Sequence, residues 1–135
     1  MTAASNYLEN KVLDHVLKNT AYSQPSSLYL GLFNNTSGNA AANLEAGTLT
    51  DEVSGGSYAR KTVAFSAASS GTAATSATVT FDAATASWGS VTHVAVLDAS
   101  TSGNVLFWGA VTTAKTIDSG DTFQVTSGNL TISLA

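Results

Sequence analysis

The chain has 135 residues, which is the length of one domain. It contains no cysteine, which excludes a disulfide framework and any metal site that needs thiolate ligands. Only 10% of the residues are charged and the formal net charge is -4, whereas a nucleic-acid-binding protein needs a basic surface. Ala, Ser and Thr make up 59 of the residues, so few side chains are suited to catalysis, and the composition favours a structural role.

An amphipathic helix is predicted near the N-terminus, over residues 5–18. Ser5 is suited to cap its beginning, and Asn19 and then Pro25 mark its end. A helix of this length is marginal in isolation, so we expect it to pack either on its own subunit or on a neighbouring one. The apolar residues of one helix face are predicted to bind a partner; they are Leu8, Val12, Leu13, Val16 and Leu17.

After Pro25 the apolar residues recur at every second position, which is the period of a β-strand. Short apolar runs then alternate with glycine-containing turns, and the clearest pair is 91–98 and 105–112. The sequence therefore predicts a mainly β fold, an antiparallel β-sandwich or jelly roll of about seven or eight strands with one N-terminal amphipathic helix. We expect one domain over 1–135, in which the helix at 5–18 precedes a sandwich at 27–135.

A long polar loop is predicted at residues 34–57. Loops of this length in compact domains are often interaction surfaces or disordered segments. No apolar stretch approaches the ~20 residues that span a bilayer, and the N-terminus lacks the basic and apolar regions of a secretory signal. We therefore expect no membrane partner, and synthesis in a cytoplasm.

Residues with catalytic or metal-binding chemistry are scattered along the chain. His15 and His93 have no ligand partners at metal-site spacing. We expect His15 to be packed or solvated, and His93 to be hydrogen-bonded in or near the sandwich. The pairs Asp51-Glu52 and Asp118/Asp121 lie in loops, where turn formation explains aspartate. No phosphate-binding glycine loop and no nucleophile elbow is present. We therefore predict no catalytic, cofactor-binding or metal-binding residues, no cofactor and no enzymatic activity; a hydrolase would require a cleft that brings Asp and His together.

Four aromatic residues offer a different interpretation, since exposed aromatic rings stack on sugars. The candidates are Tyr29, Tyr58, Trp88 and Trp108. Core packing is the commoner role of such side chains. A carbohydrate-binding or host-attachment module therefore stays open as an alternative.

Several motifs resemble those of a family of small tailed-phage virion proteins that are commonly described as tail fibre proteins. The motifs are Val53-Ser-Gly-Gly-Ser-Tyr-Ala-Arg60, Phe81-Asp-Ala-Ala-Thr-Ala-Ser-Trp-Gly-Ser-Val-Thr-His93, Leu97-Asp-Ala99 and Gly103-Asn-Val-Leu-Phe-Trp-Gly109. The likeness extends to residues 7–17 and 28–33, and is weakest over residues 34–52. The resemblance implies that the chain is a structural part of a virus particle, and it implies no catalytic residues for this chain.

The resemblance and the composition together predict a non-enzymatic structural protein of a tailed-phage virion, made in the host bacterial cytoplasm. Such a small β module fits either a capsid decoration (cement) protein or a small tail or fibre subunit. Its expected partners are other virion proteins, either the major capsid protein or tail components. We also expect a homo-oligomer, with a trimer as the favoured arrangement, and no nucleic-acid partner; a glycan ligand belongs to the alternative of a host-attachment module.

Overall fold

A computed structural model describes residues 3–134, within which nine β-strands and two α-helices are found. Residues 1, 2 and 135 of the predicted domain lie outside this range. In chain order the elements are β1 (Ala3–Ala4), α1 (Asn6–Leu17), β2 (Leu28–Phe33), α2 (Ala40–Glu45), β3 (Lys61–Val63), β4 (Thr72–Ala74), β5 (Val79–Thr80), β6 (Gly89–Leu97), β7 (Val105–Ile117), β8 (Gln124–Val125) and β9 (Thr131–Ser133). The mainly β fold and the N-terminal helix are confirmed.

The main sheet has five strands in the order β1-β7-β6-β2-β3, and all of its pairings are antiparallel. The other four strands form two short antiparallel ribbons, in which β4 pairs with β9 and β5 pairs with β8. A core cluster joins buried residues of the main sheet to residues of the ribbons, so the ribbons cover one face of the sheet. Representative members are Leu30, Val94 and Ile117 from the sheet and Val79 and Ile132 from the ribbons.

The strands differ in number and length from the prediction. The stretch at 73–81, in which apolar and small polar residues alternate, does not form one strand but contributes to β4 and β5. Strand β1 has two residues and pairs Ala3 with Trp108 and Ala4 with Phe107. Strand β7 continues to Ile117, and an irregularity interrupts its pairing with β6: Val91 pairs with Lys115 but His93 pairs with Ala110. Irregularities of this kind leave extra residues on one strand, which periodicity does not reveal.

The segment at 34–57 is more ordered than the sequence predicts. It contains α2 and a β-bridge between Phe33 and Glu52. Leu44 is fully buried in a second cluster, which lies on β2, β6 and β7 and includes Phe33 and Val105. The expectation of an irregular loop is wrong at α2, because the burial of Leu44 depends on strands that are distant in the sequence.

No helix within residues 3–134 has the length and apolar character needed to cross a membrane.

Candidate partner-docking surface

The beginning of α1 is fixed to β7. Ser5 is fully buried and caps the helix, since its hydroxyl oxygen accepts a hydrogen bond from the Leu8 amide. The same hydroxyl donates to the carbonyl of Val105, and the Ser5 amide donates to the carbonyl of Leu106 at 2.9 Å. These bonds, together with the pairing of β1, set the direction in which α1 leaves the sheet.

The five apolar residues predicted to bind a partner do not share one environment. Leu8 is buried against Ala4 and Leu106 of its own subunit. The other four become more exposed along the helix: 37% for Val12, 54% for Leu13, 70% for Val16 and 77% for Leu17. The subunit therefore anchors the first turn of α1 and leaves the rest of its apolar face uncovered.

A further apolar side chain lies beside this face. Within residues 3–134 the large apolar side chains that are exposed are the four on α1 and Leu134, which is 58% exposed. A groove of about 280 Å³ separates α1 from Leu134 and is lined also by Leu8 and Val12. We call these five exposed residues the α1 surface: Val12, Leu13, Val16, Leu17 and Leu134. Leu134 was missed by sequence reasoning, because the alternation that continues from Leu130 through Ile132 predicts an ordinary buried strand residue.

Leu134 also lines a second apolar pocket. It has a volume of about 310 Å³ and lies between the main sheet and the β4–β9 ribbon. We call it the β9 pocket; its lining includes Leu28, Phe65, Leu106, Phe107, Ile132 and Leu134. The groove beside α1 and the β9 pocket therefore share Leu134 in their linings. Neighbouring exposed apolar features of this kind mark protein–protein contact.

The predicted histidines have structural hydrogen bonds. His15 accepts a hydrogen bond through Nδ1 from the Tyr22 amide at 3.1 Å, which ties α1 to the segment that follows it. His93 is hydrogen-bonded through Nδ1 to the hydroxyl of Thr92 at 2.8 Å, and burial lowers its pKa. No group of three or more His, Cys, Asp or Glu residues that could hold a metal ion is found between residues 3 and 134.

The carboxylate of Asp51 organises the segment that contains α2. It is 2% exposed and accepts hydrogen bonds from the amide and hydroxyl of Ser37, at 2.9 and 2.7 Å. The side chains of Thr36 and Asn43 also donate to it. The Ser37 hydroxyl is the main reason why the pKa of Asp51 lies below its usual value, since these bonds favour the charged form.

Glu52 has a separate set of partners, centred on Arg60. Arg60 is 8% exposed, and its Nε and Nη2 donate to the two carboxylate oxygens of Glu52 at 2.6 and 2.8 Å. Its Nη1 donates to the carbonyls of Ala99 and Ser102 at 2.7 and 2.8 Å, in the turn between β6 and β7. Tyr58 donates its hydroxyl proton to Glu52 at 2.9 Å. We call these five residues the arginine network. Sequence reasoning missed it, although Arg60 is one of only five basic residues in the chain.

Asp118 and Asp121 form a turn, as predicted, since the Asp118 amide donates to the Asp121 side chain at 2.9 Å.

The aromatic candidates are dispersed. Trp88 is buried and donates its indole N–H to the carbonyl of Gly56 at 2.9 Å. Trp108 donates to Glu45 of α2 at 2.7 Å.

Tyr58 and Trp88 pack edge to face, with ring centroids 5.5 Å apart. Tyr58 also accepts a hydrogen bond from the Leu32 amide at 3.0 Å, and burial raises its pKa. Three of the four rings proposed for sugar stacking, those of Tyr58, Trp88 and Trp108, therefore make hydrogen bonds within the subunit. The fourth, Tyr29, is half-buried on β2. The carbohydrate-binding alternative stays a prediction.

Comparison with known proteins gives one family. The family model described as podophage GP4 fiber I protein gp80 matches residues 3–133. No curated protein matches the chain. The match covers nearly all of the described fold, including α1, the arginine network and every strand.

Proposed function

The chain belongs to the podophage GP4 fiber I protein gp80 family, and from this premise we propose that it is a non-enzymatic structural subunit of a phage tail fibre. The match over residues 3–133 is the observation that carries the proposal, because it spans nearly the whole described module and not one motif. The family description favours a fibre position over capsid decoration. The protein would then be made in the host cytoplasm and incorporated into the virion.

The roles of the polar side chains support a structural function. Asp51, Glu52 and Arg60 hold loops in place, and Asp118 and Asp121 form a turn. Each of these groups is hydrogen-bonded to other parts of its own chain, so its chemistry serves the fold.

We further propose that the α1 surface attaches the module to its neighbours in the particle. Burying an aliphatic side chain stabilises an association by about 1.5–3 kcal/mol, and the α1 surface offers several such side chains. The neighbours are tail components, including further copies of this chain. A homo-oligomer, with a trimer as the favoured form, remains part of the proposal.

Labelling of purified phage particles tests the fibre role. An antibody against the protein, coupled to gold and viewed by electron microscopy, is expected to mark the tail fibres. Label confined to the capsid, or absence of the protein from purified particles by mass spectrometry, would overturn the proposal. A parallel antibody against the major capsid protein gives the control pattern.

A further inference from the structure

We propose that a cleft beside the arginine network binds one ring of a neutral saccharide. The cleft has a volume of about 280 Å³ and lies between residues 52–60 and the turn that joins β6 to β7. We call it the Glu52 cleft. The inference goes beyond the structural role proposed above and rests on three observations: rigid walls, a carboxylate with an unused acceptor position, and unpaired hydroxyl groups on both walls.

The walls of the cleft are held in place by hydrogen bonds. Arg60 joins them, since it donates to Glu52 on one wall and to two backbone carbonyls of the β6–β7 turn on the other. That turn is also fixed internally, because the carboxylate of Asp98 accepts hydrogen bonds from the amide and the side chain of Asn104, at 2.7 and 2.9 Å. A site that is already formed loses little conformational freedom when a ligand enters it.

The carboxylate of Glu52 has an acceptor position to spare. Its Oε2 accepts two hydrogen bonds, from Nε of Arg60 and from the hydroxyl of Tyr58. Within residues 3–134 its Oε1 accepts only one, from Nη2 of Arg60. A carboxylate oxygen can accept two. The Glu52 side chain lines the cleft and is 17% exposed, so Oε1 can accept a further hydrogen bond from a donor in the cleft.

Hydroxyl groups line both walls of the cleft. Ser54 lies on one wall and Ser100 and Thr101 on the other; all three are exposed, and in the described part of the chain their hydroxyls have no hydrogen-bond partner. Each hydroxyl can donate and accept, as the hydroxyls of a sugar do. The small residues Gly55 and Ala59 let a ring approach the first wall closely. The volume is at the low end for ligand pockets, which suits one sugar ring.

The charges in the cleft favour a neutral ligand over an anion. The Arg60 side chain is only 2% exposed, and it already donates four hydrogen bonds to its own subunit. An anion would therefore meet the partly exposed carboxylate of Glu52 and not the guanidinium. A sugar hydroxyl, by contrast, donates to a carboxylate without bringing a like charge, and such a bond to a charged acceptor is stronger than one between neutral groups.

Titration of the full, isotope-labelled chain with monosaccharides, followed by amide chemical shifts in NMR spectra, tests the inference. The probes are D-glucose, D-galactose, L-rhamnose and N-acetyl-D-glucosamine, all of which are uncharged. We expect at least one of them to shift the amides of residues 52–60 and 100–102 with a dissociation constant on the order of 1 mM, since one ring makes few contacts. If none of the four gives a saturable shift at these residues up to about a hundred times that concentration, the inference is wrong.

Two substitutions in the cleft test its position. Thr101→Val removes a hydroxyl while keeping the shape of the side chain, and should raise the dissociation constant about five-fold. Ser100→Trp fills the cleft and should abolish the saturable shifts. Both positions are exposed, so the unfolding free energy should change little. Ser119→Trp, in the exposed turn at 118–121, is the matched control and should bind as the wild type does. Unchanged binding by Ser100→Trp would show that the sugar binds elsewhere.

A cation is the rival occupant, because it too would be attracted to the unused oxygen of Glu52. Methylammonium chloride in the same titration tests it: saturation by methylammonium, with no response to any of the monosaccharides, would overturn the saccharide site. The saccharide site and the fibre role can also fail separately. If no sugar binds while gold label still marks the fibres, the site is wrong and the fibre role stands. If a sugar binds but the protein is absent from particles, the site stands and the fibre role fails.

Discussion

The arginine network and the α1 surface differ in how far one subunit supplies the contacts that their side chains need. In the network a buried guanidinium and a carboxylate are held by several hydrogen bonds, and within residues 3–134 no buried side-chain nitrogen or oxygen lacks a partner. On the α1 surface the apolar side chains of Val16 and Leu17 remain in water. One subunit therefore supplies the hydrogen-bond partners of the arginine network, whereas it leaves apolar side chains of the α1 surface uncovered.

This difference indicates that the arginine network contributes to the stability of the subunit and the α1 surface to its association. Removing one member of a satisfied polar network leaves its buried partners without hydrogen bonds, which destabilises the fold. Changing an exposed apolar side chain has little effect on the isolated subunit, because nothing in that subunit depends on it. We therefore expect substitutions in the network to reduce stability and substitutions on the α1 surface to reduce association.

The largest loss of stability is expected for Arg60→Ala. The variant leaves the carboxylate of Glu52 and the carbonyls of Ala99 and Ser102 without their donor, which costs about 3–5 kcal/mol in the free energy of unfolding. Urea unfolding followed by tryptophan fluorescence measures it. The control is Lys61→Ala, whose ion pair with Asp82 is solvent-exposed and contributes about 0–1 kcal/mol. Equal losses for the two variants would contradict the central role of the network.

The next largest loss is expected for Gly56→Ala. Gly56 has a φ of +57°, and a Cβ there would lie 2.8 Å from Nε1 of Trp88. Left-handed backbone strain and overpacking together cost about 2–4 kcal/mol in unfolding free energy. Gly55 is a matched control: its φ of +76° brings the same kind of strain, but a Cβ there meets nothing within 4 Å. Gly55→Ala should therefore cost about 1–2 kcal/mol by the same measurement, and equal losses would show that the contact with Trp88 is unimportant.

A smaller, pH-dependent effect is expected from Asp51. Because the pKa of Asp51 in the folded state lies below its usual value of 3.8, its contribution is present above that value. That contribution declines as the pH falls from about 5 towards the lowered pKa. Asp51→Asn should reduce stability at neutral pH by about 1–2 kcal/mol and flatten the decline in acid. Urea unfolding midpoints between pH 3 and 7 measure both the loss at neutral pH and the decrease of stability in acid. If the stability of Asp51→Asn decreases in acid as steeply as that of the wild type, other groups cause the decrease.

The elements with local signals could be predicted from the sequence. The helix was predicted at 5–18 and lies at Asn6–Leu17 with Ser5 as its cap, because both the apolar spacing and the cap are local. The long strands β6 and β7 were predicted for the same reason. Helix α2 could not be predicted, because the burial of its Leu44 depends on β2, β6 and β7. The buried Asp51 could not be predicted either, because its hydrogen bonds from Thr36, Ser37 and Asn43 form only when the segment at 34–57 folds.

The candidate site was predicted in part. Periodicity identified the apolar face of α1, but it could not show that Leu8 packs inward while Val16 and Leu17 remain exposed. That division depends on where Ser5 and β1 attach the helix to β7, which is a tertiary contact between residues about a hundred positions apart. The β9 pocket involves five separate segments and gives no local signal.

Incorporation into phage particles tests the central claim most directly, because it separates association from stability. The double variant Val16→Gln/Leu17→Gln keeps good helix-forming residues, so its unfolding free energy should stay within about 0.5 kcal/mol of wild type. Its quantity per particle, measured by mass spectrometry, should fall at least about ten-fold, whereas Lys11→Gln/Asp14→Gln should be incorporated at the wild-type level. Full incorporation of the Val16→Gln/Leu17→Gln variant would contradict the account, since it would show that the exposed face of α1 attaches to nothing in the particle.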